Sequence, residues 1–228
     1  MGNLSFAELK DQLRVRNGNN SAYDSAGTEA SNYYGLWINK AYRQLCTQDN
    51  VLGVTRKIRF PQTNTSTTAT TVDGTAYVSV PSDCLFITEV YDTTNNRKLD
   101  EISWKSYIEY TDRTTTTSEN YPTEWTRYGE RIYLHPTPDA AYTVTIYYKK
   151  LVEDLTGTTT TIIGAEWDDP IIELASYIMY TWLGEYDKAK YCKEQFVAQA
   201  TGLASLYLNE DRDRDAAFGP SQAYMPGR

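Results

Sequence analysis

Histidine occurs once in this chain, at His135, and cysteine three times, at Cys46, Cys84 and Cys192. A single histidine leaves no second candidate around which a Ser-His-Asp or Cys-His arrangement could be completed, and it excludes a histidine-rich zinc site. The cysteines are far apart and share no CxxC spacing. Neither a disulfide framework nor a metal site is expected from them, and the odd, sparse set fits synthesis in a reducing cytoplasm. No run approaches the ~20 apolar residues needed to cross a bilayer, and Met1-Gly2-Asn3-Leu4-Ser5 leads straight into an amphipathic stretch, so neither membrane contact nor a secretory leader is expected. Positive charge is also scarce, with 22 Lys+Arg against 30 Asp+Glu and a net charge of −8. A protein that grips DNA needs a field of Lys and Arg to displace counterions from phosphates. The basic clusters, Arg56-Lys57-x-Arg59 and Lys149-Lys150, lie inside strand-like segments, which disfavours tight DNA binding. Passage of DNA along an acidic, non-adhesive wall is compatible with this charge. No GxxxxGK[ST] loop, GxGxxG or EF-hand string is found, and no cofactor is expected.

Tyrosine, by contrast, is abundant, with 20 in 228 residues. It offers rigid area with a polar tip, which suits strands and protein interfaces alike. That length is enough for one domain with an insert or for two small domains.

The ends of the chain carry a helical period and the middle a strand period. Ser5-x-x-Glu8 has capping-box spacing, and Phe6, Leu9 and Leu13 form one stripe before Asn17-Gly18. A polar loop over 19–27 precedes a second helix at about Thr28–Gln48, whose Tyr34, Trp37, Ile38, Ala41 and Leu45 make an apolar face. From Gly53 the period is two. Strands are expected over Val54–Phe60, then after a threonine-rich loop over Thr75–Val80, and again from Cys84 to Tyr91. A short helix covers Ser103–Tyr110. Glu130–His135 and Tyr142–Lys149 read as a hairpin around Pro136-Thr137-Pro138-Asp139. Asp169-Pro170 pairs an N-cap carboxylate with proline at the first helical position, and Ile171, Leu174, Ala175, Ile178 and Trp182 make an inward stripe ended by Gly184. A last helix at about Tyr186–Leu208 follows after too few residues for anything but an antiparallel hairpin. A single stripe of that size does not offset the entropy of ordering its helix, so the terminal helices must pack on each other.

The expected fold is therefore α+β. Residues 1–50 and 165–209 form an antiparallel helical bundle, 51–164 an inserted antiparallel β-sandwich or barrel-like domain, and 210–228 a flexible tail too polar to build a core. As for chemistry, Glu166, Asp168 and Asp169 are the one acidic cluster that could serve a two-carboxylate hydrolase; capping and interaction with the helix dipole is the plainer account. The threonine runs at 67–71, 114–117 and 158–161 read as loop tips and strand edges. Glycan-binding loops look similar, so a carbohydrate-binding or tail-tip module built on the β segment is a competing expectation.

The order of elements resembles the phage head–tail adaptor (connector) family. The pieces that carry the resemblance are the capped helix Phe6–Arg14, the helix Leu36–Leu45, the run Tyr77-Val78-Ser79-Val80-Pro81-Ser82-Asp83-Cys84-Leu85, the run Arg131-Ile132-Tyr133-Leu134-His135-Pro136-Thr137-Pro138-Asp139, and the closing helical hairpin. What this resemblance implies is a non-enzymatic virion protein of the neck, made in the host cytoplasm. It implies a homo-oligomeric ring, usually of twelve, docked beneath the portal protein and followed by tail or nozzle proteins, with DNA only passing through. The C-terminal segment would reach the portal, which makes Phe218, Tyr224, Met225, Arg228, Arg212 and Arg214 the expected partner-binding residues.

Overall fold

The computed structural model describes residues 3–23, 33–48, 51–54, 60–113 and 119–217, the side chains of 112–113 and 206–217 excepted. The chain divides into two compact units, Met1–Phe60 with Glu153–Arg228, and Pro61–Val152.

The first unit is helical. Its opening helix α1 spans Phe6–Arg16, and the capping box at its start is complete. The Ser5 hydroxyl accepts from the Glu8 N–H at 3.3 Å and the Glu8 carboxylate accepts from the Ser5 N–H at 2.8 Å, so two otherwise orphaned donors are satisfied reciprocally. Phe6, Leu9 and Leu13 are buried. Helix α2, Tyr33–Thr47, buries the whole expected face, Tyr34, Trp37, Ile38, Ala41 and Leu45. The two helices meet at Gly35, where a Cβ would come within 2.9 Å of the Phe6 ring, so a side chain there would push the helices apart. The expected N-terminal turn of α2 at 28–32 and the expected strand residues 55–59 lie outside the described residues.

After α3, Trp104–Arg113, which belongs to the second unit, come α4, Asp168–Leu183, and α5, Tyr186–Ala217, in this one. The start of α4 differs from expectation. A 3₁₀ turn over Ala165–Trp167 runs into it, Trp167 is its N-cap, and Pro170 occupies the third helical position rather than the first. Proline is tolerated there because the first four N–H groups of a helix have no internal partner. Gly184 ends α4 with φ +78°, a left-handed cap that glycine adopts without penalty. Helix α4 packs against α1, α2 and α5. Residues 153–163 also join this unit, not the strand-rich one. Leu155 and Ile163 are buried, and Asn39 of α2 pairs with both backbone groups of Leu155 at 2.8 and 3.1 Å. The Phe6 N–H donates to the Thr159 carbonyl at 2.8 Å.

Among the described residues the second unit contains eight strands and one α-helix. In chain order the strands are β1 Asn64–Thr70, β2 Tyr77–Ser79, β3 Cys84–Asp92 and β4 Arg97–Lys98. Then come β5 Asp100–Glu101, helix α3 Trp104–Arg113, β6 Glu124–Tyr128, β7 Arg131–His135 and β8 Thr143–Lys150. They form two four-stranded sheets, ordered β1-β8-β3-β4 and β2-β7-β6-β5. The first is antiparallel throughout; the second is mixed, since β5 runs parallel to β6. The sheets are open, so the fold is α+β with a sandwich and not a closed barrel.

Val78, Leu134, Ile132 and Trp125 of one sheet and Val90, Val144, Ile146 and Tyr148 of the other share a single core with Leu99. This corrects the expected hairpin. Strands β7 and β8 both exist, but β7 pairs with β6 and β2 while β8 pairs with β1 and β3. The Pro136–Asp139 segment carries the chain between sheets. Alternation of apolar residues is identical whether two strands lie side by side or face each other across a core, so the pattern alone does not choose. The hairpin that β7 does form is with β6, turned at Gly129 with φ +61°. The threonine-rich stretch after Thr63 is a strand, β1, and not a loop. Helix α3 lies on the outer face of the second sheet, with Trp104 stacked on Tyr128 at 4.2 Å.

Candidate interaction surfaces

The groups that could do chemistry are held in structural roles. His135, on the outer face of β7, stacks on Tyr110 at 5.2 Å and meets Tyr107 edge-on at 6.5 Å. Asp168 is buried. Its Oδ2 accepts from the Leu4 N–H at 2.7 Å, and Asn3 beside it donates to the Thr161 carbonyl at 2.7 Å. Burial raises the Asp168 carboxyl above its ordinary 3.8, against the opposing pull of the Leu4 N–H and the Thr161 side chain. Glu166 and Asp169 are exposed, and the Glu166 carboxylate lies over Gly164, 2.6 Å from where a Cβ would sit. One buried and two exposed carboxylates at a helix start do not face a common substrate position, and Asp168 works as a clasp for residues 3–5. Among the described residues no group of three or more His, Cys, Asp and Glu side chains could hold a metal ion.

A cleft of about 570 Å³ opens between the end of α1 and the facing sides of α4 and α5, lined by Arg16, Glu173, Tyr180, Lys188, Tyr191 and Cys192 among others. Its inner wall is fixed. Arg16 pairs with the buried Glu173 at 2.7 Å, and the Tyr180 hydroxyl donates to the Arg16 carbonyl at 2.8 Å. The Cys192 thiol is pushed up to about 11, first by burial and then by the Glu173 carboxylate. A thiol so protonated is not a nucleophile at neutral pH.

The aromatic groups of the helical unit present a different kind of surface. Trp182 stands in the last turn of α4. Its ring meets Tyr33 at 5.6 Å, Trp37 at 5.7 Å and Tyr23 at 6.0 Å. Trp37 is only 5% exposed, but Trp182 is 58% exposed. The sequence pattern places Trp182 on the inward stripe; the structure leaves it largely exposed, with its ring against Tyr23, Tyr33 and Trp37. Tyr33 and Leu36 of α2 are exposed nearby in the same helix, as are Tyr186 and Tyr191 of α5. Covering the free part of one such tryptophan is worth about 3 kcal/mol at ~25 cal/mol per Å². Such rings, rigid and with few torsions to freeze, are the type enriched in protein interfaces.

In the second unit Phe86, Tyr128 and Tyr147 are exposed, and other aromatic side chains cluster on one another. Trp104 touches Tyr107, Tyr128 and Tyr133, and Arg131 lies over Tyr77 at 4.1 Å.

Of the partner-binding residues expected from the sequence, Arg212 and Arg214 lie on α5, which continues to Ala217 and not to 208. The backbone stays helical because Glu, Asp and Arg tolerate a helix and no breaker intervenes before Gly219-Pro220. Phe218, Tyr224, Met225 and Arg228 lie outside the described residues.

Compared with known families, residues 4–223 match the model of one described as SU10 adaptor protein. No curated protein matches the chain.

Proposed function

The chain belongs to the SU10 adaptor protein family, and from that premise we propose that it is the head-to-tail adaptor of its phage, a ring of identical subunits seated between the portal and the tail. A phage adaptor is a structural component of the particle, whose work is contact. The observation that carries the proposal is the extent of the match, which takes in the helical unit and the strand-rich unit together. The exposed aromatic rim around Trp182 supplies the kind of surface through which subunits of a ring pack. A net charge of −8 suits a channel wall along which DNA slides without adhering.

The C-terminal segment is the portal-binding element in this reading. Phe218, Tyr224 and Met225 act as anchors in portal pockets, and Arg212, Arg214 and Arg228 supply charge around them. Deleting residues 210–228 tests this. The truncated chain is expected to fold and to lose co-sedimentation with purified portal rings. Undiminished binding by the truncated chain overturns the assignment of the portal contact to this segment.

A further inference from the structure

The two sheets of the second unit have four edges, and three of them are blunted. Strand β4 is two residues long and fully charged, β5 is two residues long and acidic, and β2 has three residues. Short, charged strands are the usual protection against unwanted strand pairing. The fourth edge, β1, is different. It runs seven residues, Asn64-Thr65-Ser66-Thr67-Thr68-Ala69-Thr70, without charge or proline, and its register with β8 continues from Asn64↔Lys149 to Thr70↔Thr143 without a bulge.

Which backbone groups face outward follows from the ladder. The Thr71 N–H donates to the Tyr142 carbonyl at 2.9 Å, one step beyond Thr70↔Thr143. Hydrogen-bonding direction alternates along an antiparallel strand. Thr65, Thr67 and Ala69 therefore bond to β8, while Asn64, Ser66, Thr68 and Thr70 turn their N–H and C=O groups to the open side. These same four residues are exposed, and among the described residues nothing pairs with that side. About 23 Å of strand edge, at ~3.3 Å per residue, is thus a ready template.

We infer that β1 is a docking edge, which receives an extended segment of a different neck or tail protein as an added antiparallel or parallel strand. The choice of occupant rests on the ring reading above. A ring joins unlike surfaces of its copies, and among the described residues no other sheet edge is long enough to pair with β1 of a neighbour. Two β1 strands pairing with each other would close a two-fold dimer, which does not propagate around a ring. The incoming segment is recognised mainly by its backbone, with small or β-branched side chains opposite Ser66, Thr68 and Thr70 and without acidic groups, since the chain it approaches carries −8.

Hydrogen exchange on the full-length chain, free and within assembled particles, tests the inference. The amides of Ser66, Thr68 and Thr70 are expected to exchange quickly in the free chain and to slow by roughly tenfold or more in the particle. A photo-cross-linking side chain placed at Thr68 should join the chain to a different virion protein. Thr68→Pro removes an outward N–H without touching the β8 ladder, and should abolish that protection with melting unchanged, whereas Thr68→Val should keep it. Unslowed exchange in particles whose neck contains the chain overturns the inference alone. A cross-link to a second copy overturns it as well. Absence of the chain from the neck removes the ring reading instead.

Discussion

Asn39 is a polar side chain buried on α2 beside its apolar face. Its amide replaces a missing strand partner for the segment that returns from the second unit, accepting from the Leu155 N–H at 2.8 Å and donating to the Leu155 carbonyl at 3.1 Å. Asn39→Leu fits the helix but strands both backbone groups, and is expected to lower unfolding free energy by about 2–4 kcal/mol; denaturant titration of the two proteins checks it. Asp168 makes a pH-dependent contribution of the opposite kind. Its carboxyl is raised in the fold, chiefly by burial, so the folded chain holds this proton more tightly than the unfolded chain. Stability from this group is full below 3.8 and declines as pH rises through the folded value. Measured melting temperatures should therefore shift in favour of Asp168→Asn as pH rises above 3.8, then run parallel. A gap that does not change with pH contradicts this account of the clasp.

At the scale of elements, local chemistry decided what was legible. The start of α1 was readable because Ser5 and Glu8 form a closed local device that needs no tertiary partner. The buried faces of α1 and α2 were readable because helical periodicity states which residues share a side. Three features were not. Strand β1 hid in a threonine run, since its inward residues, Thr65, Thr67 and Ala69, are too small and polar to mark a core face. The separation of β7 from β8 depends on which sheet each joins, a tertiary fact that alternation leaves open. The exposure of Trp182 depends on which side chains surround it in the fold, again a tertiary fact. The candidate site was hardest of all, because contact surfaces carry no motif. Helix α5 illustrates the limit from the other side: its run to Ala217 has no apolar stripe to announce it, so periodicity alone could not place its end.

The whole molecule couples a helical unit made from both ends of the chain with a strand-rich unit made from its middle. Each can carry separate contacts: an aromatic rim and a C-terminal segment on the first, an open strand edge on the second. That distribution suits the proposed adaptor, which would have several contacts to make at once. The most direct test images the chain in place. A label inserted at the exposed Asp73-Gly74 turn, viewed by electron cryo-microscopy of assembled particles, should decorate a single ring between portal and tail. Labels at the tail tip, on the capsid surface, or missing from the particle would contradict the adaptor assignment.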